Sequence, residues 1–259
     1  MKKYLMDLKV VDNIRLHPDC CLLKLTSRMK FPVMIPGQFV QIRVDGSPTT
    51  FLRRPFSVNY IDEKTNELWL LIQLVGEGTR RLSEIRPGES LNVILPLGNG
   101  FSAPQTPLDA NLLLIGGGIG IAPLFFLGET LKSMGFKPAF LLGGRTKEYV
   151  FQCDDFRKIG KVYVTTEDGS MGEKGYVTHH SILFEKKADK IYACGPKSML
   201  VAVAKYAKTS GIDCEVSLEN LMACGIGACL CCVEHTVKGN VCICTEGPVF
   251  NINQLTWQI

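Results

Sequence analysis

The 259-residue chain predicts a multi-domain protein: an antiparallel β-barrel, an α/β domain with a parallel sheet, and a small C-terminal module carrying cysteines. Three observations predict it. Residues 1–101 break into short strands between turn signals, residues 110–213 alternate apolar strands with helical stretches, and Cys224, Cys229 and Cys232 crowd together beyond them. Strands at the first spacing suggest a barrel, and strand–helix alternation means parallel βαβ units.

Taken in order, Pro36-Gly37-Gln38 leads into an alternating strand at 39–44, and a second apolar strand covers 68–75. The Pro87-Gly88-Glu89 turn precedes a third strand at 91–95. Residues 104–109, with two prolines and a threonine, read as a linker. Buried strands follow at 112–115, 139–142, 162–165 and 190–193, with helices expected at 123–134 and 197–209. Residues 214–259 form the third part, in which the cysteine loop runs into a hairpin, 233–237 and 241–245 around Lys238-Gly239-Asn240. On its second strand Cys242 and Cys244 stand two apart, so both should face the same way.

Composition narrows the class. With 46% hydrophobic and 21% charged residues the chain is globular, and at this length single cores tend to split into domains. A dispersed net charge of +4 argues against a nucleic-acid partner. The longest apolar run, 112–128, carries five glycines and Pro123. It reads as strand, loop and helix rather than a membrane span, which needs about 20 cleaner residues. The opening Met1-Lys2-Lys3-Tyr4-Leu5 has no apolar signal core. A cytoplasmic protein away from membranes is expected.

Cys224, Cys229 and Cys232 follow C-x4-C-x2-C with a further cysteine downstream, the plant-type spacing for a [2Fe–2S] cluster. Gly225 and Gly227 let backbone amides approach the sulfurs. Such a centre moves one electron at a time, which points to electron transfer. A zinc knuckle using Cys229, Cys232, Cys242 and Cys244 competes, but it leaves Cys224 unused. A disulfide framework fits less well in a chain of this length without a signal segment. Cys20, Cys21, Cys153 and Cys214 read as ordinary thiols.

Gly116-Gly117-Gly118-Ile119-Gly120 follows the first parallel strand and precedes a helix, where amides and a helix N-terminus meet a pyrophosphate. Tight strand–helix turns also use glycine for packing alone. Cys194-Gly195-Pro196 ends the fourth parallel strand, on the ligand-binding edge of such a sheet; a plain turn with a buried thiol fits the same spacing. In the barrel, Arg54-Pro55-Phe56-Ser57 puts a guanidinium, an aromatic ring and a hydroxyl within four residues. Arginine can grip a phosphate bidentately, or simply stand solvated on a barrel strand. Gly76-Glu77-Gly78-Thr79 is a phosphate nest or a turn.

In this order the motifs resemble the ferredoxin–NADP⁺ reductase family of flavoproteins. The resemblance implies that Arg54 binds the FAD pyrophosphate, that Phe56 packs on the flavin where tyrosine is common, and that Ser57 hydrogen-bonds near flavin N5, with Pro55 between them. It carries Leu71, Ile72 and Gln73, then Gly78 and Thr79, to the FAD site. Gly116, Gly117, Gly118 and Gly120 go to the NAD site, and Cys194, Gly195 and Pro196 lie beside the nicotinamide. The run 217–229, with Cys244-Thr245-Glu246-Gly247-Pro248-Val249-Phe250, is similar to one branch of that family, the electron transfer subunits of NAD-dependent dihydroorotate dehydrogenase, and the likeness covers essentially the whole chain. It implies Cys224, Cys229, Cys232 and Cys244 as cluster ligands, with Cys231 and Cys242 as departures next to them.

The resemblance also implies an oxidoreductase subunit using FAD, a [2Fe–2S] cluster and NAD. Its partner would be an FMN-containing catalytic subunit, joined in a heterotetramer, with electrons running from dihydroorotate through the cluster and FAD to NAD⁺ in pyrimidine biosynthesis. Outside the cofactor motifs no stretch offers catalytic residues for an organic substrate. Two other readings remain: a reductase of the same build serving another partner, and a non-enzymatic zinc-knuckle module. The strand at 139–142 ends Gly143-Gly144-Arg145, with no acid for a ribose, so only the resemblance argues for NAD over NADP.

Overall fold

In the computed structural model, which describes residues 2–257, alternating apolar side chains fold the N-terminal third into a seven-stranded antiparallel half-barrel. Strand β1 (Tyr4–His17) turns Met6, Leu8 and Val10 inward and Leu5, Asp7 and Lys9 outward. It is followed by β2 (Cys20–Thr26), β3 (Phe39–Ile42), β4 (Arg54–Ser57), β5 (Tyr60–Asp62), β6 (Glu67–Gln73), helix α1 (Glu77–Ser83) and β7 (Ser90–Leu97). The sheet order is β4-β3-β7-β1-β2-β6-β5, and Leu8, Leu23, Ile42, Leu70 and Leu91 are fully buried within it.

The second sheet is built from strands that are apolar and buried at its centre and more polar toward its edges, as burial of the central strands on both faces requires. These are β8 (Leu112–Gly117), β9 (Ala139–Gly144), β10 (Lys161–Thr166), the short β11 (Glu173–Lys174), β12 (Lys190–Cys194) and β13 (Asp213–Ser217). Helices α2 (Ala122–Ser133), α3 (Cys153–Ile159), α4 (Ile182–Glu185) and α5 (Lys197–Thr209) lie between them. The pairs from β11 through β13 are parallel, as the alternation predicts. Phe156 is the centre of one side of this core, edge-on to Phe140 at 4.9 Å and to Phe125 at 5.3 Å.

The C-terminal segment supplies β14 (Val233–Thr236), β15 (Gly239–Cys242), helical turn α6 (Ile243–Glu246) and β16 (Val249–Asn251), which joins β13 antiparallel at the edge of the second sheet. Two compact units result. One holds residues to Gly100 with 220–234 and 241–248; the other holds 101–219, 235–240 and the chain from 249 on. Residues 214–259, expected to form a module, are thus shared out by their packing. The hairpin expectation needs a correction at its second strand, which stops at Cys242. The Ile243 amide donates to Cys232 O at 2.9 Å and the Gly247 amide to Ile243 O at 3.0 Å, closing a helical turn where alternation suggested a strand. Cys242 and Cys244 therefore do not share a strand face. Among the described residues no helix is long and apolar enough to cross a membrane.

Gly128, inside α2, tests the packing. Elsewhere in a helix, glycine to alanine gains roughly 0.5–1 kcal/mol. A Cβ here would lie 2.5 Å from Phe140 Cζ, and overpacking a core costs about 1–3 kcal/mol. The clash outweighs the propensity, so Gly128→Ala should lower the thermal midpoint; a rise would show that the ring moves freely.

Candidate functional site

The barrel carries the first site on β4. Its four residues pair with β3 in the register Ile42–Arg54, Gln41–Pro55, Val40–Phe56 and Phe39–Ser57, and all four are half-buried. The structure separates the two neighbouring arginines. Arg53 is tied into the sheet, its Nη1 donating to the carbonyls of Asn92 at 2.9 Å and Gln41 at 3.3 Å. Arg54 donates only to carbonyls of its own loop, Leu52 O at 2.7 Å and Arg53 O at 3.5 Å, and meets no carboxylate among the described residues. Its remaining donors are available to an anion.

Opposite Arg54 runs the Gly76–Thr79 segment, which opens α1. A Cβ on Gly78 would lie 2.9 Å from Thr50 Cγ2 and in ordinary contact, 3.4 Å, with Arg54 Nε, so glycine there keeps the main chain close to Thr50 beside the guanidinium. This cradle fits a pyrophosphate. The Thr79 hydroxyl is already committed to the turn: it donates to Gly76 O at 2.9 Å and accepts from the amides of Val75 and Gly76. Leu71 and Ile72 are buried core residues, leaving their main chain for any ligand, while Gln73 is half-buried.

In the other unit, β8 and β12 are neighbours with Gly116 opposite Cys194, so the glycine loop and the Cys194-Gly195-Pro196 turn meet at one sheet edge. The contact is close enough to exclude side chains: a Cβ on Gly120 would lie 2.5 Å from Cys194 O and Gly195 N, and one on Gly117 2.5 Å from Met199 Sδ. Gly116 is packed against Ile121, whereas Gly118 faces open space. The Cys194 thiol is fully buried and donates to Glu219 Oε1 at 3.8 Å. Burial first, then the neighbouring Glu219, pushes the Cys194 thiol well up, and burial likewise raises the Glu219 carboxyl. Glu219 keeps part of its surface exposed while its Oε1 accepts from the thiol beside the nucleotide loop. The sequence marked Cys194 but gave Glu219 no role, because 25 residues separate them.

The cysteine loop, packed with the barrel, is shaped by Gly225 and Gly227 in left-handed conformations, φ +69° and +88°. They turn the amides of Ile226, Ala228 and Cys229 onto Cys224 Sγ at 3.3–3.4 Å. Burial works to raise that thiol, but these amides and the Cys229 side chain outweigh it and pull it down to about 6. A thiolate results near neutral pH, the form that binds metal. Cys232 and Cys244 are buried and meet across the start of α6, where the Cys244 amide donates to Cys232 Sγ at 3.4 Å. Burial, then the Cys232 side chain, pushes Cys244 up to about 12. Cys242 is half-exposed and is also raised, by burial and by Cys232. Cys229 and Cys231 are exposed, Cys231 reaching toward Leu221 O.

Among the described residues no three His, Cys, Asp or Glu side chains gather as one metal ion would need. The thiols meet across shorter contacts instead, Cys224 with Cys229, and Cys232 with both Cys242 and Cys244. An all-cysteine donor set of this kind would suit an iron–sulfur cluster. The barrel seats this loop. Asn99 Nδ2 donates to the carbonyls of Thr245 and Glu246, both at 3.0 Å, and Gly225 lies against the side chain of Gln41.

A half-barrel with an arginine cradle, a parallel sheet with a glycine loop and a seated cysteine loop define a ferredoxin–NADP⁺ reductase-like oxidoreductase with an iron–sulfur-binding domain. A solved structure described as an NADH-dependent reduced ferredoxin-NADP oxidoreductase superposes with a TM-score of 0.85 at 30% identity, covering 96% of this chain and 90% of that one. The family described as the iron-sulfur cluster binding domain of dihydroorotate dehydrogenase B matches residues 219–256. Electron transfer subunits of dihydroorotate dehydrogenase B (NAD(+)) from Fusobacterium nucleatum and Geobacillus kaustophilus are 37% and 39% identical. The matches cover 94% and 90% of this chain, and 95% and 91% of theirs. The chain belongs to that family of electron transfer subunits.

Glu219 gives the site a pH signature. Its carboxyl is raised in the fold, so the folded state holds a proton that the unfolded chain releases near pH 4.3. That contribution is present below the unfolded value and is lost as pH rises through the folded one. Glu219→Gln should therefore gain stability relative to the wild type as pH rises above the unfolded value; a constant difference in denaturation midpoint at every pH would show the carboxyl unshifted by the fold.

Proposed function

We propose that this chain transfers electrons from an FMN-containing dihydroorotate dehydrogenase subunit to NAD⁺ in pyrimidine biosynthesis, as part of a cytoplasmic heterotetramer. The observation that carries the reading is the packing of the cysteine loop in the same unit as the Arg54–Ser57 strand, with Gly225 against Gln41 and Gln41 in register with Pro55. A cluster held by that loop stands one strand away from the flavin motif. When bound, FAD supplies the exchange between one-electron cluster chemistry and the two-electron hydride chemistry of a nicotinamide.

The chain's own residues have distinct tasks in this reading. Arg54 grips the FAD pyrophosphate over the bare main chain of Gly78, while Phe56 offers a ring face and Ser57 a hydroxyl on the same strand. Cys224, Cys229, Cys232 and Cys244 hold the [2Fe–2S] cluster. Gly116–Gly120 and Cys194–Pro196 bring main chain to NAD, with the Cys194 thiol held in its protonated form by burial. NAD is preferred because the curated relatives carry NAD(+) in their names. The same-build reductase reading rests on a lower identity, 30% against 37–39%. The zinc-knuckle reading loses its support to the iron-sulfur domain match.

Loaded with FAD and cluster, the chain alone should oxidise NADH with an artificial acceptor but leave dihydroorotate untouched. Co-expressed with an FMN-bearing dihydroorotate dehydrogenase subunit, it should elute from size exclusion as one complex in which dihydroorotate reduces the cluster. Separate elution with an oxidised cluster would leave only the same-build reductase reading.

Cofactor loading tests the individual residues. Arg54→Ala should stay folded and lose about 1.5–3 kcal/mol of FAD affinity, ten- to a hundredfold. Arg53→Ala should instead destabilise the sheet, since its partners are main-chain carbonyls. Cys244→Ser should lose iron and Cys242→Ser should keep it; the reverse pattern moves the fourth ligand.

A further inference from the structure

Gln41 is 0% exposed on β3, and neither Nε2 nor Oε1 has a hydrogen-bond partner. Buried amides are nearly always paired, and an unpaired one marks a partner still to arrive. Among the described residues it is the only side chain with both polar atoms buried and unsatisfied; Asn13, for comparison, uses its Nδ2 twice. The surroundings indicate where the partner stands. A Cβ on Gly225 would lie 2.6 Å from Gln41 Nε2 and 2.7 Å from Cγ, so the carboxamide presses on the residue directly after Cys224. Gly225 is one of the two left-handed glycines that fold the loop around that sulfur, so the amide meets the loop where its backbone is bent toward Cys224.

The partner should be an acceptor rich in negative charge. The loop amides of Ile226, Ala228 and Cys229 already point at Cys224 Sγ, and Gln41 approaches the same turn from the barrel side. We infer that the Gln41 carboxamide donates a hydrogen bond to a sulfur of the bound [2Fe–2S] cluster and so sets its reduction potential. The inference rests on the cluster reading of this loop. Hydrogen bonds to cluster sulfurs favour the reduced, more negative state, and their removal lowers the potential. Because Gln41 also pairs with Pro55, the residue that tunes the cluster sits on the strand neighbouring the flavin motif.

The test uses the full chain loaded with FAD and cluster, carrying Gln41→Leu or Gln41→Met; methionine keeps the length of the side chain without its donor. In a redox titration followed by electron paramagnetic resonance, both variants should hold the cluster with its reduction about tenfold less favoured, about 59 mV for one electron. The FAD potential should stay in place. In the cluster-free chain both variants should melt no lower than the wild type, because the amide they remove has no partner there. An unchanged cluster potential overturns the inference, as does a shift confined to the flavin, which would assign the amide to FAD. A wild-type chain that takes up no iron fails differently, removing the cluster reading itself.

Discussion

Asn99 holds the part of the molecule on which the rest depends. A loop that must present sulfur atoms has no ladder partners for its own backbone, and buried backbone groups have to be satisfied somewhere. The side chain of Asn99 takes the carbonyls of Thr245 and Glu246, and its amide takes Gly247 O at 2.6 Å. These three bonds close the turn that puts Cys244 beside Cys232. Gly98 adds a steric condition, since a Cβ there would strike Pro248 at 2.7 Å. The end of β7 is thus the floor of the cysteine loop, and the loop takes its shape from the barrel.

Within that frame the cysteines show how strongly local structure sorts one side chain. Burial alone raises a thiol, and Cys20 is pushed up to about 12 in the barrel core. Cys224 is the exception. Amides aimed at its sulfur reverse the trend, and their aim depends on two glycines with positive φ. The glycines of the nucleotide loop serve a different need, allowing β8, α2 and the Cys194 turn to approach within side-chain distance. Similar-looking glycine runs therefore answer to conformation in one place and to volume in the other.

Much of this was legible in the residue order. The strands of the half-barrel and the strand–helix alternation of the second sheet follow directly from apolar periodicity. So does the placing of the glycine loop and the Cys194 turn on one edge of a parallel sheet, whereas the adjacency of β8 and β12 emerges only from the fold. What periodicity misread was the segment after Cys242, where Val-Cys-Ile-Cys-Thr alternates like a strand but coils under bonds from Asn99, 146 residues away. The double arginine was equally opaque, since only the distant carbonyls of Asn92 and Gln41 distinguish the structural Arg53 from Arg54. Gln41 and Glu219 carried no local signal at all. Their significance lies in an unpaired amide and a contact with a buried thiol 25 residues away, and neither is a property of nearby sequence.

The path of the chain between the two units has a consequence for how the protein is made. The chain leaves the first unit at residue 100, returns to it at 220, and closes the second sheet only with β16. A ribosome releases about 5–20 residues each second, N-terminal segments first. The half-barrel strands are therefore complete long before the thiols that rest on them exist, and the edge of β13 waits uncovered until nearly the whole chain has emerged. The floor of the cysteine loop is thus made first, and the thiols that rest on it follow only after every strand of the second sheet but β16 has been synthesised.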